Sequence, residues 1–520
     1  MRAEAVDEFV SILAPQGSSL IPQTDDVLRD LALQRVFAQI DESAPRARNA
    51  SRNLLTAAGV AYRQDVFRGL QNRELRAGVE RYLAGLDEYA ARAQTSSRAL
   101  HPLEAQLWHL HSAASYVDAV IALRRGLESS THTIGRGWCL LTDYLDGYLR
   151  SPAFTALAST TRAIGDELDR LRFNLLIDGP KVTVAAMDAE SDLGEIVAAT
   201  FDRFRSAEAV DHRSTFRTPR LDHVQVWILE RVAQVHPEVF ARLREFAEST
   251  ASFDDARLTR LGDEVRFYLA YLDYVEPMCR AGLPMCFPTA SAGATDVTVR
   301  GGWDLALGRR LTGAREALVL NDFDLIRPER IAVISGPNQG GKTTMARLFG
   351  QLHYLAAIGC PVPARAAWLP LVDRVLTVFE REERLDSLEG RLAAEIQRLA
   401  TVFATATPNS AIVINEAFAS TSLHDARILT ADVLTRITEL GAVAVCVTFI
   451  DEMSRLNQAT VSYVSAVDPR DPVRRTFRIE RRAADGRVYA HALAAEHRLN
   501  AEQIRQSIAA QAISTMKAIR

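Results

Sequence analysis

The stretch IAVISGPNQGGKTTMARLFG, which begins at Ile331, constrains the fold more than any other part of the chain. A short apolar run leads into a glycine-rich turn and then a helical pattern, and residues 336–343 fit G-x-x-x-x-G-K-[ST]. Glycines let such a turn point several backbone N–H groups inward, and the following helix adds the positive end of its dipole. The pattern predicts a phosphate-binding loop in an α/β P-loop NTPase domain. A chance glycine-rich turn is the alternative.

Lysine usage singles out one residue of this loop. The chain has 61 Lys plus Arg, yet its lysines are only Lys181, Lys342 and Lys517. A lysine in an arginine-rich chain indicates a site that fits a compact ammonium better than a planar guanidinium, and a phosphate pocket is such a site. We predict that Lys342 reaches the terminal phosphates and that the Thr343 hydroxyl ligates Mg²⁺. The predicted nucleotide contacts in the loop are Gly336, Pro337, Asn338, Gln339, Gly340, Gly341, Lys342, Thr343 and Thr344.

A second polar pair follows another apolar run, in SAIVINEAFASTS. A P-loop enzyme needs an acid near the magnesium ion and a base that orients water at the end of a neighbouring strand. Here Glu416 is the predicted general base, with Lys342 as its catalytic partner, and Thr343, Asn415 and Glu416 form the predicted metal environment. Asn415 brings no negative charge, so we expect weaker magnesium binding and slow hydrolysis. Alternatively, Glu416 is an ordinary strand-end carboxylate.

The composition predicts a multidomain globular protein. A chain of 520 residues exceeds one ordinary core, and a formal net charge of -4 provides no overall attraction to nucleic acid. The five cysteines are scattered without a metal spacing, no secretion signal or 18-residue apolar run is present, and the histidines at 101, 109 and 111 lack further ligands. We therefore expect a cytoplasmic protein that has no membrane partner and no metal other than magnesium.

The hydrophobic pattern changes along the chain. Residues 24–290 have mainly helical periodicity, interrupted by apolar runs on either side of an Asp178-Gly179-Pro180 turn that predict a small strand-turn-strand. From about residue 293 short apolar runs alternate with helical stretches, which indicates an α/β module. Beyond it we expect a hairpin with an Asp485-Gly486 turn and a helical tail from about residue 501. The predicted segments are 1–150, 151–255, 256–292 and 293–520.

Several motifs within residues 290–510 resemble the ATPase domain of the MutS family of DNA mismatch-repair and recombination proteins. SGPNQGGKTT is similar to the family's G-P-N-x-G-G-K-[ST]-T, LVLNDFDL to the segment before its loop, and LAAIGCPVPA, TSLHDA and YAHALAAEHRLNAEQI to later segments. The resemblance implies an ABC-type ATPase fold, ATP and Mg²⁺ as cofactors, a homodimer formed through the ATPase domain with a C-terminal helical dimerisation segment, and Asn321 as a further nucleotide contact. Tyr463 falls near the family's aromatic adenine contact, although ordinary core packing would also explain it.

The resemblance also implies roles for the helical segments. Residues 1–150 and 256–292 would form a lever, and 151–255 would form a clamp-like arm that contacts DNA. Near the tip of that arm the basic candidates are Lys181, Arg203, Arg205, Arg213 and Arg217. Phosphate contacts of this kind are independent of sequence and sensitive to salt. A solvated surface is the alternative. No segment resembles the family's mismatch-reading domain. We therefore expect branched or recombining DNA as a ligand in addition to mismatched DNA.

The departures from the family pattern bear on turnover. Asn415 replaces the expected aspartate, Gly390 and Arg391 replace a Ser-Thr pair that reaches the other subunit's nucleotide, and Phe449 replaces a histidine after Thr448. Arg391 would then act as an arginine finger in trans, or would be a surface residue. The leading hypothesis is a DNA-binding ATPase clamp, and the alternative is a nucleotide-binding switch or scaffold that does not hydrolyse ATP. A P-loop kinase or transport ATPase fits poorly because no LSGGQ-like segment precedes Glu416.

Overall fold

The computed structural model describes residues 9–128, 135–179, 181–186, 223–380, 390–468, 475–484 and 505. Contacts divide the chain into two compact units, and each unit is discontinuous in sequence. Unit 1 comprises residues 1–9 and 69–262, and unit 2 comprises residues 10–68 and 263–520. The α/β elements predicted from residue 293 onward therefore belong to a unit that also contains an N-terminal segment.

The α-helices are labelled here in chain order. They are α1 Asp25–Asp30, α2 Leu33–Ser43, α3 Asn49–Arg52, α4 Ala57–Gly69, α5 Arg73–Arg98, α6 Pro102–Glu128, α7 Arg136–Leu149, α8 Pro152–Arg170, α9 His223–Val235, α10 Pro237–Ser249, α11 Ala256–Arg280, α12 Leu305–Ala314, α13 Lys342–Ala357, α14 Arg391–Thr405 and α15 Leu423–Leu440. Short 3-10 helices occupy Pro45–Ala47 and Asp451–Arg455. The mainly helical character expected for residues 24–290 agrees with this distribution.

The strands are labelled in the same way. They are β1 Leu20–Pro22, β2 Asn53–Leu55, β3 Phe173–Asp178, β4 Lys181–Ala186, β5 Thr289–Ser291, β6 Val297–Gly302, β7 Asn321–Leu325, β8 Ile331–Ser335, β9 Ala366–Pro370, β10 Arg374–Phe379, β11 Ser410–Asn415, β12 Val443–Val447, β13 Thr460–Val467 and β14 Arg475–Arg481. The predicted Asp485-Gly486 turn and most of the predicted helical tail lie outside the described residues.

Unit 1 is built mainly from helices, and its two longest helices pack closely. A Cβ placed on Gly78 of α5 would lie 2.6 Å from the Gly126 Cα of α6, so the absence of side chains lets the two backbones approach. Strands β3 and β4 pair antiparallel from Phe173↔Ala186 to Asp178↔Lys181. This confirms the predicted strand-turn-strand, with Gly179 at φ 58° where the chain reverses.

The main sheet of unit 2 has the order β10-β11-β12-β8-β13-β14 in the described part of the chain. All neighbouring strands are parallel except β14, which runs antiparallel to β13. Strands β8, β11 and β12 are buried at every position, as their continuous runs of Val, Ile and Ala require when both faces of a parallel sheet are covered. The C-terminal ends of the parallel strands therefore share one edge, where α/β folds place their sites.

Hydrogen bonds explain why residues 10–68 fold with unit 2. The buried Arg63 guanidinium donates to the Ile358 carbonyl at 2.7 Å, just after α13, and the Gln351 amide donates to the Leu31 carbonyl at 2.9 Å. Tyr354 donates to the Ser51 carbonyl at 2.8 Å. Helix α13 is thus buried along most of its length, and residues 10–68 pack against one side of it. The sequence analysis had assigned these N-terminal residues to the predicted segment 1–150.

Candidate functional site

The glycine-rich loop, residues 336–341, connects β8 to α13 at the C-terminal edge of the main sheet. Gly336 and Gly341 have φ values of 115° and 93°, which residues with a side chain rarely adopt. Ser465 of the neighbouring strand β13 explains a second requirement: a Cβ on Gly336 would lie 3.1 Å from the Ser465 backbone nitrogen, and a Cβ on Gly340 would lie 2.1 Å from its hydroxyl oxygen. The loop therefore needs glycine both for backbone conformation and for close packing.

Lys342, the first residue of α13, is the buried cation of this loop. Its side chain is 7% exposed, and Nζ donates to the Gly336 carbonyl at 3.0 Å, the Pro337 carbonyl at 3.2 Å and Asn338 Oδ1 at 3.1 Å. Glu416 Oε1 lies 3.7 Å from the same ammonium. Burial lowers the pKa of Lys342 from its ordinary value, and the Glu416 carboxylate opposes that shift. The loop acceptors therefore hold the ammonium in place, and phosphate oxygens can replace them as its hydrogen-bond partners.

The end of β11 places Asn415 and Glu416 beside the loop. Asn415 is 7% exposed, and its Oδ1 is buried without a hydrogen-bond partner. Glu416 has φ 53° and donates its backbone N–H to the Val447 carbonyl at 3.0 Å, which fixes the turn after the strand. A left-handed conformation at a residue other than glycine costs about 1–3 kcal/mol and is typical of functional sites. The arrangement leaves one amide oxygen and one carboxylate available at the strand end.

A cleft of about 570 Å³ lies over the loop within unit 2. The predicted site residues that line it are Asn321, Asn338, Gln339, Gly341, Lys342, Thr343, Thr344 and Glu416. The structure therefore brings the glycine-rich loop and the strand-end carboxylate together at one sheet edge, although β12 lies between β8 and β11 and the two strands are not neighbours as predicted. Another wall comes from α12 and the segment that follows it, and it combines apolar side chains with the charged Arg310 and Glu316. Its apolar members are Leu307, Leu311, Leu318 and Val319, none of which the sequence analysis identified.

Tyr463 does not line this cleft. Its ring is 2% exposed and packs 5.2 Å from the ring of Phe323, and its hydroxyl donates to the Asp324 carbonyl at 2.8 Å. This placement in the core between β13 and β7 does not support the predicted stacking on adenine and agrees with the alternative of core packing. Burial raises the pKa of the Tyr463 hydroxyl from its ordinary value.

Phe477 of β14 is an aromatic residue of the cleft that the sequence analysis did not identify. It lines the cleft, is 50% exposed and has φ 57°. Asn321 holds this strand in place, because its amide donates to the Phe477 carbonyl at 3.2 Å and accepts from the Ile479 N–H at 2.8 Å. Asn321 therefore lies at the cleft as predicted, but both ends of its amide bind β14. No local sequence signal separates Phe477 from the other aromatic residues of the C-terminal region.

The remaining predicted residues are less informative. Helix α14 begins at Arg391, whose side chain lies outside the described part of the chain, and Phe449 is 53% exposed after β12. Lys181 begins β4, and its side chain is likewise outside the description. The predicted DNA-binding arginines Arg203, Arg205, Arg213 and Arg217 all fall within residues that the structure does not describe. Across the described ranges, no group of three His, Cys, Asp or Glu residues is arranged to hold a metal, and no helix is long and apolar enough to cross a bilayer.

Comparison with known proteins identifies the segment that contains this site. Residues 332–490 match the family model for MutS domain V. The chain is 27% identical over 291 residues to "DNA mismatch repair protein MutS" of Shouchella clausii, an alignment that covers 54% of this chain and 32% of that protein. The corresponding protein of Chlorobaculum tepidum is 33% identical over 147 residues, covering 28% and 16%. "MutS protein homolog him-14" of Caenorhabditis elegans is 29% identical over 153 residues, covering 29% and 20%.

These alignments span less than a third of the length of each relative. The match to the family model covers the glycine-rich loop, the strand that ends at Asn415 and the strand β13 that packs on the loop. Residues 332–490, which contain the site, belong to the MutS domain V family.

Proposed function

We propose that the cleft binds ATP and that the chain is a slow, DNA-responsive ATPase. The observation that carries this proposal is the buried Lys342 ammonium, which lies within 3.2 Å of three acceptors on the glycine-rich loop. Triphosphate oxygens carry negative charge, so they attract an ammonium more strongly than neutral carbonyls do. The apolar side chains of the cleft and Phe477 offer surfaces against which a base packs.

The donor set also fits a divalent ion such as Mg²⁺, which the MutS family resemblance implies. Thr343 lines the cleft, and the buried Oδ1 of Asn415 has no partner, so it is available to accept a hydrogen bond from water on the metal. When bound, the ion neutralises charge on the phosphates. An amide at position 415 leaves the site one negative charge short of the aspartate expected there, which supports weak metal binding.

Glu416 is the proposed general base. Its carboxylate lines the cleft, is about one third exposed and lies 3.7 Å from the Lys342 ammonium. A carboxylate in this position accepts a proton from an attacking water, while Lys342 stabilises negative charge that develops on the phosphate oxygens. The left-handed backbone of Glu416 fixes the direction of its side chain.

The names of two of these relatives support a role in DNA mismatch repair. We propose that ATP binding closes two ATPase regions of a cytoplasmic homodimer and that the helical segments act as a lever and a clamp on mismatched or branched DNA. The hairpin β3–β4, whose second strand begins at Lys181, is among the described elements of the proposed arm. An electrophoretic titration with duplex, branched and single-stranded DNA, at two salt concentrations and with or without ATP, tests this role. If the protein shifts the mobility of none of these DNAs at either salt concentration, the proposed DNA binding is wrong.

A second candidate function is a nucleotide-dependent switch that does not hydrolyse ATP. The neutral Asn415 and the Gly390-Arg391 pair favour it, because each removes a group expected to support turnover. The variant Asn415→Asp separates the two candidates, since an added carboxylate strengthens metal binding in an otherwise competent enzyme. An increase in steady-state phosphate release identifies a slow ATPase. Unchanged release in a variant that still binds ATP identifies a switch.

A further inference from the structure

The turn after β11 carries the proposed general base in an unusual backbone conformation. Glu416 and Phe418, two residues apart, both have positive φ values, of 53° and 65°. Residues other than glycine rarely adopt this conformation, and it persists only where the surrounding structure holds it. The Val447 carbonyl of β12 accepts the Glu416 N–H at 3.0 Å, so the main sheet holds one end of the turn.

Glu395 of α14 holds the other end of this turn. Its Oε2 accepts a hydrogen bond from the Phe418 N–H at 2.9 Å. Both residues are 2% exposed, so water has little access to this bond. A buried N–H that loses its acceptor is costly, because no solvent molecule replaces the bond. The backbone of residues 416–418 is therefore fixed by acceptors on two different elements, β12 and α14.

Helix α14 is itself anchored at the same edge of the main sheet. Arg398 of this helix donates from Nη1 to the carbonyl of Phe379, the last residue of β10, at 2.7 Å. In the register of β10 with β11, Phe379 lies opposite Asn415. Leu399 of α14 belongs to the same buried hydrophobic cluster as Phe418. The sheet and the core together therefore set the position from which α14 presents its carboxyl group to the turn.

We propose that Glu395 is a positioning residue that directs the Glu416 carboxylate toward the nucleotide. The inference rests on the proposed ATPase and specifies what holds its general base. Glu395 does not line the cleft, so it acts through the turn and not on ATP itself. Without this acceptor the turn relaxes toward negative φ, which redirects the Glu416 side chain. A misplacement of about 1 Å at a reacting group costs on the order of a hundredfold in rate.

The phosphate-binding lysine does not depend on Glu395. Lys342 donates to the Gly336 and Pro337 carbonyls and to Asn338 Oδ1, and all three acceptors belong to the glycine-rich loop. Loss of the Glu395 acceptor should therefore slow the hydrolysis step while ATP binding is kept. A general loss of structure would weaken both.

Single-turnover hydrolysis with the protein in excess over ATP, measured beside the Kd for ATP, tests the proposal. Glu395→Met keeps the length of the side chain but removes the oxygen acceptor. We expect it to slow hydrolysis about tenfold to a hundredfold and to change the Kd less than about threefold. Glu395→Gln keeps a carbonyl acceptor and should restore hydrolysis to within about fivefold of the wild type. Gln397→Met, at an exposed position of the same helix, is the control and should leave both values unchanged.

A double variant shows whether Glu395 acts through Glu416. Glu416→Gln removes the base, so adding Glu395→Met should slow the residual hydrolysis of that variant less than about twofold. If Glu395 only stabilised the fold, its loss would slow hydrolysis by the same factor with or without the base.

Circular dichroism checks that each variant is folded. If Glu395→Met does not fold, Glu395→Asp takes its place, because a side chain shorter by one methylene group withdraws the acceptor from the Phe418 N–H. The inference is overturned if the substituted chain hydrolyses ATP at the wild-type rate, if ATP binding weakens as much as hydrolysis slows, or if the Glu416→Gln variant is slowed by the full factor. A wild-type chain that binds no ATP, or binds it without hydrolysis, removes the proposed ATPase as well, whereas wild-type hydrolysis that survives the substitution removes this inference alone.

Discussion

Replacing Gly340 with alanine tests the packing between the glycine-rich loop and strand β13. Gly340 has no positive φ, so the expected penalty comes from contact and not from backbone conformation. The new Cβ would lie 2.1 Å from the Ser465 hydroxyl oxygen and 3.1 Å from both the Ser465 Cβ and the Pro337 carbonyl. The hydroxyl must rotate away and give up its 2.7 Å hydrogen bond to the Gly340 carbonyl.

The size of the effect follows from these contacts. Ser465 is fully buried, so its displaced hydroxyl and the Gly340 carbonyl lose a bond that water cannot replace, at a cost of about 1–3 kcal/mol. Crowding in a packed interior adds about 1–3 kcal/mol. We therefore expect Gly340→Ala to lower the free energy of unfolding of unit 2 by about 2–6 kcal/mol and to weaken ATP binding.

The variant Ser465→Gly supplies the control. It removes both Ser465 atoms that the new methyl group meets, and only the Pro337 contact remains. Urea unfolding of the wild type, the two single variants and the double variant should give a favourable coupling of about 1–3 kcal/mol. If the two substitutions are additive within about 0.5 kcal/mol, Ser465 does not impose glycine at position 340, and the account of this interface is wrong.

Three further predictions concern the cleft and its supporting helix. Phe477→Ala should raise the Kd for ATP about tenfold by removing an aromatic surface. Tyr463→Phe should leave the Kd unchanged, because that hydroxyl binds Asp324 in the core. Competition binding measures both, and a larger effect of Tyr463→Phe would restore Tyr463 as the base contact. Asn415→Asp should increase steady-state phosphate release and its response to Mg²⁺, and an unchanged rate in a variant that binds ATP would favour the switch. Burial lowers the pKa of His353 to about 4, so the unfolded chain gains a proton below pH 6.5 that the folded chain excludes until about pH 4. The free energy of unfolding should therefore decrease as the pH is lowered, by about 2 kcal/mol at pH 5 relative to pH 7. Urea unfolding at the two pH values should show that His353→Leu removes this part of the dependence. An equal loss in both proteins would contradict the assignment.

The parts of the site that local sequence dictates could be predicted. A continuous apolar run, a glycine turn and a helix start place Lys342 on a loop between strand and helix, and a second apolar run places Glu416 at the end of β11. Both residues then meet because parallel strands end at one sheet edge. The β3–β4 hairpin could also be predicted from sequence, because a glycine, Gly179, lies where the chain needs a positive φ.

The parts that depend on tertiary pairing could not be predicted. Whether Tyr463 or Phe477 faces the cleft is decided by the register of β13 with β14 and by the shift after Ser465, and neither leaves a local signal. Residues 10–68 join unit 2 through contacts such as Arg63 to Ile358, nearly three hundred positions apart. The hydrogen bond from Arg475 to the Asn338 carbonyl of the loop likewise appears only once β14 is placed beside the loop.

Calorimetric titration of ATP into the purified chain in magnesium buffer, beside the variant Lys342→Ala, tests the central claim most directly. We expect saturable binding by the wild type and a loss of affinity of about tenfold to a hundredfold in the variant, since a hydrogen bond to a charged group contributes about 1.5–3 kcal/mol. Circular dichroism should show that both proteins are folded. If the folded wild type takes up no ATP, or if Lys342→Ala binds ATP as tightly, the cleft over the glycine-rich loop is not a nucleotide site.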